Sequence, residues 1–191
     1  DGDVVETVCA LDLQKRGLLR DDTVVSTVMC NLGFTKAMDA AGISVVQTQV
    51  GDKYVLNEMR KLNAVIGGEQ SGHMIFLDHN STGDGLITAL QFLAACLRND
   101  QPVSETAALM QRFPQELINV RVADKHAVSE NAVVAEAIAE AEAKLDGSGR
   151  ILVRPSGTEP LVRVMVEAAT HEEAFGYAQE IAAIIERELG Q

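Results

Sequence analysis

Two short stretches of the chain place chemistry-bearing side chains at loop spacing. The first is Arg154-Pro155-Ser156-Gly157-Thr158-Glu159-Pro160, with Arg163 just beyond it. An apolar run, Ile151-Leu152-Val153, enters it and an alternating run from Leu161 to Ala168 leaves it, so the stretch reads as a tight connection between two strands. Arg154 offers a planar fork of N–H groups matched to phosphate oxygens, Ser156 and Thr158 add hydroxyls, and Gly157 lets the backbone approach a ligand. Arg163 alternates with Leu161 and Met165 on the outgoing strand, from which its long side chain can fold back to the loop. The same composition also suits an ordinary Pro/Gly/Ser turn with solvated arginines, and the residues alone leave both readings open.

The second stretch is Gly68-Glu69-Gln70-Ser71-Gly72-His73, at the end of a strand in an α/β pattern, where ligand crevices form. A carboxylate, a hydroxyl and an imidazole on a glycine-flanked loop can accept from and donate to the vicinal hydroxyls of a sugar. A hairpin turn with solvated polar residues is the competing reading. Lys53, in Val50-Gly51-Asp52-Lys53, could add positive charge beside a ligand or simply be solvated on a helix start. Asp1-Gly2-Asp3 and Asp84 look like metal-loop fragments, but both read better as helix caps, so no metal ligand is assigned. His79, His126 and His171 share no ligand spacing and read as surface residues.

These loops need elements to hold them. The 191 residues suffice for one large domain or two small ones, and 47% hydrophobic content suffices for a core built from Val, Ile, Leu, Ala and Met without tryptophan. A net charge of −12 argues against nucleic acid or an anionic membrane surface as partner, since both need a basic footprint. Cys9, Cys30 and Cys96 lie widely spaced in apolar surroundings, as reduced buried cysteines of a cytoplasmic protein do. No apolar run is long enough to span a membrane. A chain opening at Asp1 directly into structured-looking sequence is expected of a fragment or a cleaved protein.

From Val4 to about Leu62 helices and strands alternate, with helices over Val4–Leu13, Leu32–Ala41 and from Gly51 to Leu62, and strands over Thr23–Val28, Ile43–Val50 and Ala64–Ile66. A strand Met74–Leu77 follows the Glu69–His73 loop, and Leu86–Leu97, apolar on nearly every face, predicts a buried helix. A shorter helix over Val103–Arg112 stops at Phe113-Pro114, which marks the domain boundary. Beyond it come a strand Leu117–Val122, a helix Ser129–Leu145, the two strands flanking the arginine loop, and a helix opened by the capping box Thr170-His171-Glu172-Glu173. The expected architecture is a three-layer α/β domain with a mixed sheet over residues 1–113, then a small α+β domain, strand-helix-strand-strand-helix, over residues 114–191.

Arg154-Pro155-Ser156-Gly157-Thr158-Glu159-Pro160 closely resembles the phosphate-binding loop of the α-D-phosphohexomutases. Glu69-Gln70-Ser71-Gly72-His73 resembles their sugar-binding loop, and glutamine at position 70, where other branches commonly carry methionine, points to the bacterial phosphoglucosamine mutases. The resemblance runs over essentially the whole chain and corresponds to the third and fourth domains of a four-domain enzyme. It implies a protein that interconverts glucosamine 6-phosphate and glucosamine 1-phosphate through glucosamine 1,6-bisphosphate, for UDP-N-acetylglucosamine and cell-wall precursor synthesis. It implies that Glu69 and Ser71 contact ring hydroxyls, that His73 lies near the reacting end and assists, that Lys53 faces the cleft, and that Arg154, Ser156, Gly157, Thr158 and Arg163 hold the phosphate not being transferred. The phosphoserine and the Mg²⁺ of the family belong to the first two domains, so this chain is expected to bind a sugar phosphate without turning it over. Its partners would be the missing N-terminal domains, with a homodimer left open. The alternatives are phosphoglucomutase/phosphomannomutase activity, a non-catalytic sugar-phosphate-binding module, or loops that are structural in a piece mediating subunit contacts.

Overall fold

Asp1 accepts the Val4 N–H with its side chain and so starts α1 (Gly2–Lys15), one of seven α-helices in a computed structural model that describes residues 1–190. The chain divides into two compact units, Asp1–Arg112 and Phe113–Gln191.

In the first unit β1 (Thr23–Thr27), β2 (Ser44–Thr48), β3 (Ile66–Gly68) and β4 (Met74–Phe76) form one sheet in the order β2-β1-β3-β4. β1 pairs in parallel with β2 and β3, and β4 closes the sheet antiparallel to β3, so the sheet is mixed. α2 (Leu32–Ala40) buries Phe34 and Met38 in a cluster with α1 on one face of the sheet, whereas α3 (Asp52–Leu62) buries Val55 and Met59 against Val25 and Ile75 on the other. The expected three layers follow from this division. Cys9, Cys30 and Cys96 are all buried and free, and burial pushes the Cys9 thiol up to about 12.

Two expectations need correction. α4 (Gly85–Asn99) is not buried: Leu86, Leu90, Leu93 and Leu97 are 51–81% exposed, because only the side carrying Ile87 and Phe92 packs on the core. The helix expected over Val103–Arg112 stops at Ala107 as α5 (Val103–Ala107), because the chain then turns to bury Met110 and to lay the Gln111 carbonyl against Gly33. α1 also buries polar residues, namely Asp3, Glu6, Thr7 and Asp12. Asp12 is held by a bidentate contact from Arg98 on α4, at 2.8 and 2.7 Å, and by Arg16 at 3.2 Å.

In the second unit β5 (Gln115–Arg121), β6 (Arg150–Pro155) and β7 (Leu161–Glu167) make an antiparallel sheet in the order β5-β7-β6. α6 (Ala132–Leu145) and α7 (His171–Leu189) cover one face, where Val162, Val164 and Val166 meet Val134, Ala141, Ala178 and Ile181. The side chain of Thr170 accepts from Glu173 N while the Glu173 carboxylate accepts from Thr170 N, the reciprocal cap that the sequence predicts.

Candidate functional site

Because β1, β2 and β3 run parallel, the loops after them lie at one edge of the sheet, and α2 and α3 leave that edge on opposite faces. Open α/β sheets form ligand crevices at such a point. Glu69 to His73 leaves this edge as the β3–β4 hairpin, closed by Glu69 N to His73 O at 2.9 Å and Gly72 N to Glu69 O at 2.8 Å. Gly72 sits at φ +100°, which only glycine adopts without strain. The competing hairpin reading is therefore correct as geometry, and it is the hairpin that presents Ser71 and His73 to solvent.

Each member of this loop has a distinct environment. Glu69 Oε1 accepts the Gly51 N–H at 2.9 Å, which ties the loop to the start of α3, while Oε2 has no protein partner among the described residues. Gln70 turns inward: Nε2 donates to Asp3 Oδ2 at 3.0 Å and its carbonyl accepts from Gly2 N at 3.0 Å. The His73 ring lies against Gly83, where a β-carbon would come within 2.6 Å of Cδ2. Ser71, His73 and Asp84 line a shallow cavity of about 300 Å³. Asp84 caps α4 by accepting from Leu86 and Ile87 N–H, and these bonds, Ile87 first, hold its carboxyl below the ordinary range. Lys53 is exposed at the first turn of α3, with its ammonium 4.7 Å from the centre of the Tyr54 ring.

The second loop connects β6 to β7. Arg154 stands directly opposite Arg163 in the ladder, and Asn119 of β5 flanks Arg163 on its other side. Partners in an antiparallel register project to the same face, so two guanidinium groups share one side of the sheet. Burial, and then the charge of Arg163, hold the Arg154 pKa below its ordinary value. Arg163 reaches Glu159 only at 3.5 Å, and its Nε is buried with no partner. The Arg154 guanidinium has no hydrogen-bond partner among the described residues. Like charges placed face to face are unfavourable unless an anion sits with them.

Ser156 is buried; its N–H donates to Leu161 O at 2.9 Å and its Oγ accepts from Glu159 N at 3.3 Å, so the hydroxyl shapes the loop as well as offering a proton. Gly157 and Thr158 are exposed, and their N–H groups have no protein partner among the described residues. A β-carbon on Gly157 would meet nothing within 4 Å, so packing does not require glycine there. Lys125, which sequence reasoning passed over, donates to the carbonyls of Ser156 at 2.6 Å, Gly157 at 3.4 Å and Glu159 at 3.5 Å. Its only signal was an Asp-Lys pair after a strand, which is usually surface.

The carboxylates at the start of the chain do not fit a divalent cation. A hard cation wants about six oxygen ligands. Asp1 caps α1 and Asp3 Oδ2 accepts from Asn31 N and Gln70 Nε2, and no group of three or more metal-ligating side chains occurs among the described residues. The expected helix cap is supplied by Asp1, whereas Asp3 faces inward. No helix among the described residues is long and apolar enough to cross a membrane.

The family model "Phosphoglucomutase/phosphomannomutase, alpha/beta/alpha domain III" matches residues 1–113, and "Phosphoglucomutase/phosphomannomutase, C-terminal domain" matches residues 117–184. Phosphoglucosamine mutases of Geobacillus thermodenitrificans and Bacillus subtilis are 55% and 54% identical to the chain over 190 residues. The chain spans 42% of the length of each, and they cover all of it. Among solved structures, an N-acetylglucosamine-phosphate mutase in its substrate complex superposes with a TM-score of 0.80 at 24% identity, over 97% of this chain and 44% of that one. An Aspergillus fumigatus N-acetylphosphoglucosamine mutase, in complex with GlcNAc-6P and magnesium, does so at 0.80 and 21% identity, over 97% of this chain and 46% of that one. These last two likenesses speak for the fold. With successive family domains matched from residue 1 to residue 184, the chain belongs to the phosphoglucomutase/phosphomannomutase family and carries its domain III and C-terminal domain.

Proposed function

We propose that the chain is the substrate-holding portion of a phosphoglucosamine mutase, which interconverts glucosamine 6-phosphate and glucosamine 1-phosphate through the 1,6-bisphosphate. The observation that carries this is the cross-strand pair Arg154 and Arg163, next to the Gly157 and Thr158 N–H groups that have no partner among the described residues, with no anion of those residues closer than Glu159 at 3.5 Å. Two guanidiniums on one face of the ladder, with two unpartnered amides in the adjoining loop, suit the three oxygens of a phosphate monoester. The relatives of Geobacillus thermodenitrificans and Bacillus subtilis, at 55% and 54% identity, bear the glucosamine name, which favours the amino sugar over glucose or mannose.

The work divides between the loops. Arg154, Ser156, Gly157, Thr158 and Arg163 hold the phosphate that is not transferred, while Glu69, Ser71 and His73 read the sugar and Lys53 adds charge beside it. A mutase binds its sugar in two flipped poses, so hydroxyl contacts common to both must come from groups that donate and accept, as serine and histidine do. Phosphoryl transfer itself needs a nucleophile and a metal. The magnesium ligands would lie outside this chain, as would the phosphorylated serine, and the 191-residue chain alone should show no turnover.

The test is steady-state kinetics of the full-length protein on glucosamine 6-phosphate and glucose 6-phosphate. The reading predicts a clear preference for the amino sugar, with Glu69→Ala and His73→Ala each lowering kcat/KM. A preference for the neutral sugar, or wild-type kinetics in both variants, overturns it.

A further inference from the structure

We infer that Asp3 is a positioning residue for the Glu69–His73 loop, holding it through Gln70 in the register that presents Glu69, Ser71 and His73. This rests on the reading of that loop as the sugar reader. Asp3 is wholly buried in the first turn of α1, and its Oδ2 accepts two donors from separate parts of the chain, Asn31 N at 2.9 Å and Gln70 Nε2 at 3.0 Å. The Gln70 carbonyl in turn accepts from Gly2 N, so residue 70 is held at its backbone and at its side-chain end by adjacent residues of one helix turn. Gly2 lies so close to the Glu69 carbonyl that any β-carbon would collide with it. The helix start is seated on the loop backbone.

The rest of the loop has little else to fix it. Ser71, Gly72 and His73 are exposed, and the hairpin closes on two backbone hydrogen bonds. Ordering each residue costs backbone entropy. Two side-chain ties oppose that cost, one from Glu69 to Gly51 N and one from Gln70 to Asp3, and only the second is anchored in the protein interior. Asn31, the third member, places its own Oδ1 on Gly33 N and so caps α2, which joins the β1–α2 loop to the same carboxylate. Gln70, the residue that distinguishes this branch by resemblance, thus acts here by reaching inward to Asp3 rather than outward to a ligand.

The geometry also says which substitution should be tolerated. Asp3 Oδ1 has no hydrogen-bond partner while Oδ2 accepts both bonds, so an asparagine that keeps an acceptor in the Oδ2 position preserves the tie. The experiment uses the full-length enzyme and follows hydrogen–deuterium exchange of residues 69–73 together with KM and kcat for glucosamine 6-phosphate. Asp3→Ala and Gln70→Leu should each speed exchange in the loop and raise KM about tenfold with a smaller effect on kcat, since a charged hydrogen bond worth roughly 1.5 kcal/mol corresponds to about one decade. Asp3→Asn should stay near wild type in both readouts. Gln70→Leu removes the tie from an exposed hairpin and leaves α1 intact, so it remains informative even if Asp3→Ala does not fold. Unchanged exchange in Gln70→Leu overturns the positioning role. Faster exchange with an unchanged KM leaves the tie standing and overturns the sugar-reading role of the loop.

Discussion

Arg154 and Arg163 face each other across the β6–β7 ladder, one on the strand entering the loop and one on the strand leaving it. A protein of net charge −12 has carboxylates in plenty, yet among the described residues the one that approaches this pair is Glu159, at 3.5 Å from Arg163. Elsewhere in the same sheet Arg150 stands opposite Glu167 and bonds it at 3.1 Å. The second unit therefore neutralises one cross-strand arginine internally and leaves the Arg154 guanidinium without a carboxylate partner among the described residues.

Lys125 is expected to be the loop's internal support. Its ammonium draws the carbonyls of Ser156, Gly157 and Glu159 toward one side. Lys125→Met should weaken phosphate binding about tenfold, from the roughly 1.5 kcal/mol of one charge-assisted contact, while changing the sugar-loop exchange little. Titration with sugar phosphate checks this, and wild-type affinity in the variant would remove Lys125 from the account.

Glu6 sets a pH dependence. Burial, then the charge of Asp3, hold its carboxyl well above the ordinary 4.5, against a weaker opposing bond from Ser26. Above pH 4.5 the unfolded chain ionises this residue while the folded one keeps its proton, so its contribution to stability is full below that pH and falls as pH rises toward the folded value. Glu6→Gln, which mimics the protonated form, should melt higher than wild type at pH 8, with the gap closing as pH approaches 4.5. A gap that widens on acidification would contradict the assignment.

Arg98→Ala tests how the first unit is held. Burial alone would raise the Asp12 carboxyl, but the bonds and charges of Arg98 and Arg16 outweigh it and hold the pKa below its usual value. Removing Arg98 leaves a buried carboxylate with Arg16 alone, and the loss should be about 1–2 kcal/mol, less than for a fully buried pair because Arg98 is 40% exposed. Denaturant unfolding reads it. Asp12→Asn should cost less than Arg98→Ala, since the guanidiniums it leaves unpaired, Arg16 and Arg98, are 37% and 40% exposed and stay solvated.

The elements were legible where local chemistry decides them. Thr170 and Glu173 announce their cap, and Ile151-Leu152-Val153 and the alternation after Leu161 announce a hairpin around the arginine loop. What periodicity could not convey was polar burial. Asp3, Glu6 and Asp12 lie on the buried side of α1 because their partners, Asn31, Ser26 and Arg98, come from distant parts of the chain. The same reason hid Lys125, whose acceptors lie some thirty residues away. α4 misled in the opposite direction, since an apolar composition does not say that a covering layer exists on every side.

Calorimetric titration of the full-length protein with glucosamine 6-phosphate tests most directly whether the pair Arg154 and Arg163 holds a phosphate. Arg154→Ala should weaken binding by about one to two decades, from roughly 1.5–3 kcal/mol for a charge-assisted contact. Without ligand the same variant should be at least as stable as wild type, because the substitution relieves the repulsion from Arg163. Added phosphate should raise the melting temperature of wild type more than that of the variant. Unchanged affinity together with a loss of stability would mean that Arg154 serves the fold, and would contradict the phosphate-binding role of this loop.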